Sequence, residues 1–264
     1  MAEDNPTNQL VATQMLESMS ANVTVATDGV EALERVHQGF FDVLLIDIEM
    51  PRMNGIELMR RLRADGGRIG SLPMIALTAY VMREHLAAIR EAGADGVIAK
   101  PIQSIEQFGK EIREFMVGRA AQDAPASGAS PAGQPAIATE DVPPATPGEN
   151  AIDLAIFDAL AEIIGQAAMS EFLGKVGLDI RAAAQRLQQA VSESDLDEAR
   201  AATHVLISVA GTIGAVKAQQ LARVVNNAAH AGDEATVRHE AAELLSEIGS
   251  VTEFVEARHQ AAAT

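Results

Sequence analysis

Six side chains in this sequence could together handle a phosphoryl group: Glu3, Asp4, Asp47, Thr78, Lys100 and, far downstream, His204. Asp47 closes the run DVLLID, Thr78 closes PMIALT, and Lys100 follows GVIA and precedes Pro101, while Glu3 and Asp4 precede the first helical pattern. Runs this short, β-branched or leucine-rich, read as strands. Ligand chemistry in a parallel sheet gathers at the C-terminal strand ends. The order therefore predicts one sheet edge where three carboxylates, a hydroxyl and an ammonium converge. Carboxylates so crowded repel one another and favour a hard divalent cation such as Mg2+. A lysine and a hydroxyl suit the oxygens of a phosphoryl group. Asp47 is then the nucleophile, forming an acyl phosphate in line, with metal and Lys100 neutralising charge.

The elements that must position these residues alternate. Strands are predicted at 22–27 (NVTVAT), 42–47, 73–78 and 96–99, and helices at 6–19, 29–38, 55–64, 82–93 and 105–116. Asn5 offers an N-cap and Pro6 a first helical residue. Such alternation implies a parallel sheet covered on both faces. Residues 119–150 hold six of the ten prolines and almost no large apolar side chain, so they cannot bury a core and read as a linker. A flexible chain of that length spans roughly 30 Å on average. Beyond it, helical patterns at 153–164, 167–192, 195–210, 215–231 and 233–258 predict an antiparallel helix bundle with short loops. The division is thus an α/β unit over 1–118, a linker over 119–150 and an all-α unit over 151–264.

The bulk numbers narrow the function. The chain has 264 residues, net charge −17, no cysteine and no tryptophan. Residues 1–117 and 151–264 are both acidic, which argues against nucleic acid as a direct partner, since phosphate binding needs a basic face. Without cysteine there are no disulfides, thiolate metal sites or cysteine nucleophile. No apolar run approaches a membrane span, and no secretory leader opens the sequence. The expected location is the cytoplasm.

The stretches AEDNPTNQLV, LLIDIEMPRMNGIEL, PMIALTA and AGADGVIAKPI together resemble the response-regulator receiver domain, over about residues 1–117. The resemblance implies a flavodoxin-like, doubly wound parallel sheet with Asp47 as phosphoacceptor. It implies that Glu3 and Asp4 hold Mg2+ with Asp47 and the carbonyl of Glu49. Thr78 and Lys100 would contact the phosphoryl oxygens, and the Lys100–Pro101 bond would be cis. Two departures stand out. Val97 occupies a position, three before the lysine, that is often aromatic in receivers; Tyr80, two residues after Thr78, is the candidate to respond instead. Receivers also need an interior first strand, and strands usually run about five residues, yet only Met1 and Ala2 precede Glu3. The first strand is expected to be truncated, and adding four or five apolar residues in front is expected to stabilise the fold.

His204 lies on the helical pattern beginning near Asp195. One face of that helix carries Leu196, Ala199, Thr203, Leu206, Ala210 and Ile213; the other carries Asp197, Arg200, Ala201, His204, Ser208 and Gly211. His204 is therefore expected outside the apolar stripe, with small neighbours leaving the imidazole room for another molecule. A metal ligand would want partners at i+3 or i+4, which are Ile207 and Ser208. The other histidines (His37, His85, His230, His239 and His259) are scattered in sequence. An imidazole titrates near neutrality, so a neutral nucleophilic nitrogen is available. ATHVLISVAGTIGA resembles the phospho-accepting helix of histidine phosphotransfer (HPt) domains, keeping His204, Leu206, Ala210 and Gly214 of their pattern. It departs at Ile207, where that family has lysine, and at Ser208, where it has glycine. Arg200, one turn before the histidine, is the candidate to replace the lysine, and Ile207 would add an apolar docking contact.

The two resemblances imply a phosphorelay protein, a phosphoryl carrier rather than an enzyme. Phosphoryl would pass from a sensor histidine kinase to Asp47, then to His204, then to or from a downstream response regulator. The same arrangement closes hybrid sensor kinases, so the chain could be the tail of one. A rival is a docking module or phosphate sink whose bundle is inert. A second is a phosphohydrolase with Glu49 as general acid, though such enzymes prefer an aspartate there.

Overall fold

A computed structural model describes residues 1–79, 83–102, 104–122 and 151–262. Tyr80 and most of the stretch read as a linker, 123–150, lie outside the described residues. Three parallel strands, β1 (Leu44–Asp47), β2 (Met74–Thr78) and β3 (Gly96–Ala99), are hydrogen-bonded in that order. Every residue of β1 and β2 is buried, as a parallel sheet covered on both faces requires. Asp47 pairs with Leu77 and Thr78 with Ala99. That register brings Asp47, Thr78 and Lys100 out at the same edge.

The interior strand is a stub. Ala2 makes parallel bridges to Ile46 on one side and Ala26 on the other. Ala2 N–H donates to Leu45 (2.8 Å) and Asp47 N–H to Ala2 (2.9 Å), while Glu3 N–H donates to Ala26 (3.0 Å) and Ala26 N–H to Met1 (2.9 Å). Counting these bridges, the spatial order is Ala26, Ala2, β1, β2, β3, the doubly wound order of a flavodoxin-like sheet. The strand expected at 22–27 is not formed. Only Ala26 pairs, because a ladder needs a partner and the neighbouring strand offers one residue. Behind the stub lies an apolar cavity of about 30 Å³, lined in part by Met1, Ala2, Val36, Phe41, Leu44 and Leu62.

Among the described residues, six helices wrap the sheet: α1 (Pro6–Ser18), α2 (Gly29–Gln38), α3 (Gly55–Asp65), the single turn α4 (Gly67–Gly70), α5 (Arg83–Glu91) and α6 (Ile105–Gln122). α4 has no counterpart in the sequence reading, and α6 runs four residues into the predicted linker. Asn5 caps α1, its side chain accepting from Asn8 N–H at 2.9 Å, with Pro6 as first helical residue.

The second unit holds α7 (Leu154–Ile164), α8 (Gln166–Glu193), α9 (Leu196–Thr212), α10 (Val216–His230) and α11 (Glu234–Ala262). α8 packs on α9, α9 on α10, α10 on α11 and α11 on α8, closing a four-helix ring. Gly214 (φ +79°) turns the chain between α9 and α10; a β-carbon there would come 2.8 Å from the Asp153 carbonyl oxygen.

The two units are docked. α1 lies against α7, α8 and α9. Val11, Met15 and Leu16 of α1 belong to the same buried apolar cluster as Phe157, Leu160, Phe172 and Ile207. This corrects one expectation. The polar face of α9 around His204 is not open to solvent: Ser208 is 2% exposed and the His204 side chain 12%, while the Asp197 and Arg200 side chains near the helix start stay exposed. α9 is buried on its apolar stripe by the bundle and on its small-residue face by the sheet unit.

Candidate functional site

At the sheet edge, Lys100 reaches back between two carboxylates. Its Nζ donates to Asp47 Oδ2 at 2.8 Å and to Glu3 Oε2 at 2.7 Å, with all three residues buried. Burial disfavours the charged form of each. The two anions outweigh it at Lys100 and hold the ammonium well above the usual range. At Asp47 burial is likewise outweighed, by Lys100 and by His204, so the carboxylate stays ionised. Glu3 goes the other way. Burial, reinforced by the Asp47 charge, raises it to about 7 despite Lys100. Asp4 is raised too, by burial and by the Asp47 charge. Carboxyl oxygens of Glu3, Asp4 and Asp47 come within 4.8 Å of one another.

Crowded, desolvated carboxylates that cannot all ionise comfortably are the setting a hard divalent cation relieves. The donor set therefore fits Mg2+: oxygen only, anionic and convergent. Thr78 is buried at the end of β2, and its carbonyl accepts the Lys100 N–H at 2.8 Å. The Lys100–Pro101 peptide is cis. Val97 is half-buried on β3.

His204 is brought to this edge by the docking of α9. Its Nε2 lies 3.9 Å from Asp47 Oδ2, and its Nδ1 lies 3.3 Å from Glu49 Oε2. Burial pushes the imidazole pKa down, but Asp47 and Glu49 outweigh it and the net shift is upward. The Glu49 side chain thus faces the histidine, whereas the sequence suggested a backbone role at the metal or, in the phosphohydrolase rival, a general acid. His85 and His230, far apart in sequence, also feel the charge of His204 and of Glu49; burial lowers both.

The residues around His204 divide. Ile207 is 3% exposed within the apolar cluster. Ser208 accepts a hydrogen bond from Asn8 Nδ2 at 2.9 Å. Arg200 does not turn to the phosphoryl site: it pairs with Asp197 at 3.2 Å, on the surface. Three contributors went unseen in the sequence. Asn8 donates to Ser208 and also to Glu3 Oε1 at 3.0 Å. Asp179 on α8 accepts from Asn5 Nδ2 (3.1 Å) and Thr7 Oγ1 (2.7 Å). Arg223 on α10 donates to the carbonyls of Ala79 (3.1 Å) and Lys100 (3.3 Å). No local spacing signals the pairs that cross between the units, because their partners lie more than a hundred residues apart in sequence.

The arrangement can do one thing directly. A phosphoryl group held on Asp47 would stand between an aspartate oxygen and an imidazole nitrogen, with Lys100 beside it. The 3.9 Å gap exceeds a hydrogen bond and suits an in-line transfer.

Residues 1–112 match the family of response regulator receiver domains. Over 102 residues the chain is 36% identical to sensor protein GacS of Pseudomonas syringae pv. syringae, a match covering 38% of this chain and 11% of that protein. Over 115 residues it is 35% identical to aerobic respiration control sensor protein ArcB of Escherichia coli (strain K12), covering 44% of this chain and 14% of that protein. The chain therefore spans only a small part of these curated relatives. Among solved structures, the receiver domain of sensor histidine kinase PA1611 from Pseudomonas aeruginosa PAO1 is 29% identical, covering 44% of this chain and 93% of that one, with a TM-score of 0.41. That structure carries a magnesium ion coordinated in its active-site cleft. Among the described residues, no helix is long and apolar enough to cross a membrane.

Proposed function

We propose that this chain, whose N-terminal part is a response-regulator receiver domain of two-component signalling, homologous to those of hybrid sensor kinases, is a phosphorelay intermediate. Asp47 accepts phosphoryl from the histidine of a sensor kinase. His204, on an antiparallel HPt-type bundle, then carries it to or from the receiver of a separate response regulator. The observation that supports this reading is the 3.9 Å approach of His204 Nε2 to Asp47 Oδ2.

The chemistry follows from the geometry. Glu3, Asp4 and Asp47 would hold Mg2+, with the Glu49 carbonyl, and bound there it neutralises charge on the phosphoryl oxygens. Lys100 stays cationic between its two anions and is placed to follow the phosphoryl group. With the proton on His204 Nδ1, on the side of the ring where Glu49 lies at 3.3 Å, the lone pair on Nε2 faces Asp47. As the Nε2–P bond forms, the P–Oδ bond of the acyl phosphate breaks and its electron pair returns to Asp47 as carboxylate. The proton stays on Nδ1, and the ring's positive charge is balanced by Glu49. No group turns over a small substrate in this scheme, so the chain is a carrier rather than an enzyme, working in the cytoplasm without nucleic acid or membrane insertion.

A second reading has one observation in its favour. The position of the HPt lysine is Ile207, buried in the apolar cluster, and Arg200 is paired elsewhere. A bundle without that charge could serve only to dock, making the chain a phosphate sink. Radiolabelled acetyl phosphate with Mg2+ separates the two. Acid-labile, base-stable label on the native chain, lost in both Asp47→Ala and His204→Ala, is the expected relay result. Base-labile label alone would instead establish the sink.

A further inference from the structure

We propose that Asp179 and Ser208 are specificity residues that select this chain's own receiver as the phosphoryl partner of His204, so that the Asp47–His204 step runs within one molecule. The inference rests on the relay reading above.

Three helices of the bundle grip the receiver at three places. From α10, Arg223 donates to the carbonyls of Ala79 and Lys100. Every receiver has backbone carbonyls there, so Arg223 adds affinity without discrimination. From α8, Asp179 accepts from the side chains of Asn5 and Thr7. From α9, Ser208 accepts from Asn8, whose amide also donates to Glu3. These two contacts read side chains, Asn5, Thr7 and Asn8, where Arg223 reads only the backbone. Asp179 in addition meets the positive N-terminal end of α1, where a carboxylate is favoured.

Discrimination comes from what a wrong partner leaves behind. Ser208 is 2% exposed in the docked state, and a receiver without an amide opposite it leaves a buried hydroxyl unpaired. Asp179, half-buried, would lose both of its donors on a receiver lacking Asn5 and Thr7. Unmet buried polar groups cost more than a formed hydrogen bond contributes, which is how a polar patch rejects near-matches. Ser208 also stands where the HPt pattern has glycine, so a generic carrier offers no hydroxyl at this point. Close by on the same face, Gly211 admits Pro101: a β-carbon there would come 2.7 Å from Pro101 Cγ. The α9 surface thus meets the receiver in two places, by a hydroxyl added and by a side chain withheld.

The test uses the full chain with radiolabelled acetyl phosphate and Mg2+, following base-stable label on His204. Within-molecule transfer gives a rate independent of protein concentration. A His204→Ala chain mixed with an Asp47→Ala chain should transfer at least tenfold more slowly than the native chain labels itself. The Asp179→Ala/Ser208→Gly double variant should lower the native rate at least tenfold while base-labile label builds up on Asp47. Asp179→Asn, which keeps an acceptor oxygen for Asn5 and Thr7, should retain most of the rate. A native rate proportional to protein concentration, or a double variant that transfers as fast as the native chain, overturns the proposal and leaves the relay reading standing. A native chain that labels on Asp47 and never on His204 overturns the relay reading, and selection with it.

Discussion

Nδ1 of His204 lies 3.3 Å from the carboxylate of Glu49, on the side of the ring away from Asp47. In the proposed relay Glu49 would balance the charge that builds on the ring while Nε2 faces Asp47. It also raises the imidazole pKa, together with Asp47 and against the effect of burial. A protonated ring has no lone pair to offer.

The pH profile of transfer follows. The rate onto His204 should rise with pH and level off above a midpoint higher than the ordinary histidine value of about 6.5. Removing an anion next to a cation lowers its pKa, so Glu49→Gln should move that midpoint down. It should also slow transfer at the plateau, because the charge building on the ring loses its counter-anion. Rates measured from pH 5.5 to 9 on both chains decide it, and an unmoved midpoint refutes the role of Glu49.

Gly211 gives a way to part the two units without touching any reacting group. A valine there would press on Pro101 across the boundary and on Gln219 within the bundle. Gly211→Val should enlarge the chain in small-angle scattering and split one thermal transition into two. Labelling of Asp47 should persist while label on His204 falls. An unchanged radius of gyration would count against docking through this face.

The metal site should answer to its ligand count. Chelation by EDTA should abolish labelling of Asp47 by acetyl phosphate. Asp4→Asn removes one anionic oxygen from the cluster, and the Mg2+ needed for half-maximal labelling should rise by about tenfold or more. Equal Mg2+ dependence in the variant would remove Asp4 from the site.

The stub strand predicts a gain in stability. Four or five apolar residues fused before Met1 would continue the ladder beyond Ala2 and fill the cavity lined by Val36, Phe41 and Leu62. Each kcal/mol gained should raise the melting temperature by about 2–4 °C in a protein of this size. Calorimetry of the two chains, with equal midpoints as the negative result, checks it.

The parts of the fold and site that the sequence made legible are those governed by local periodicity and by rules of parallel sheets. Asp47, Thr78 and Lys100 could be placed on one edge because each ends a short apolar run, and strand order did the rest. The helices of the bundle could be drawn to within a few residues because their apolar stripes and breaks are regular. NVTVAT misled because its composition is strand-like while its partner strand is one residue long; pairing is not a property of the run itself. The small-residue face of α9 misled for a related reason. A stripe of Ala201, Ser208 and Gly211 looks the same whether water or another unit lies against it. Asn8, Asp179 and Arg223 were silent because their partners lie on the other unit, and nothing local records how two units meet. Glu49 was seen as a carbonyl at the metal and as a rival's general acid, not as a neighbour of the histidine.

The burial of His204 beneath its own receiver has a consequence for traffic through the chain. A berth that holds one vessel is closed to the next. While the two units are joined, neither a kinase histidine can reach Asp47, which is fully buried, nor a second receiver reach His204. In the proposed relay, loading, internal transfer and unloading would take turns, and each exchange with a partner would wait on separation of the halves. The chain would act as a lock between two stretches of a canal, passing one phosphoryl group per opening and preventing its two neighbours from exchanging phosphate directly.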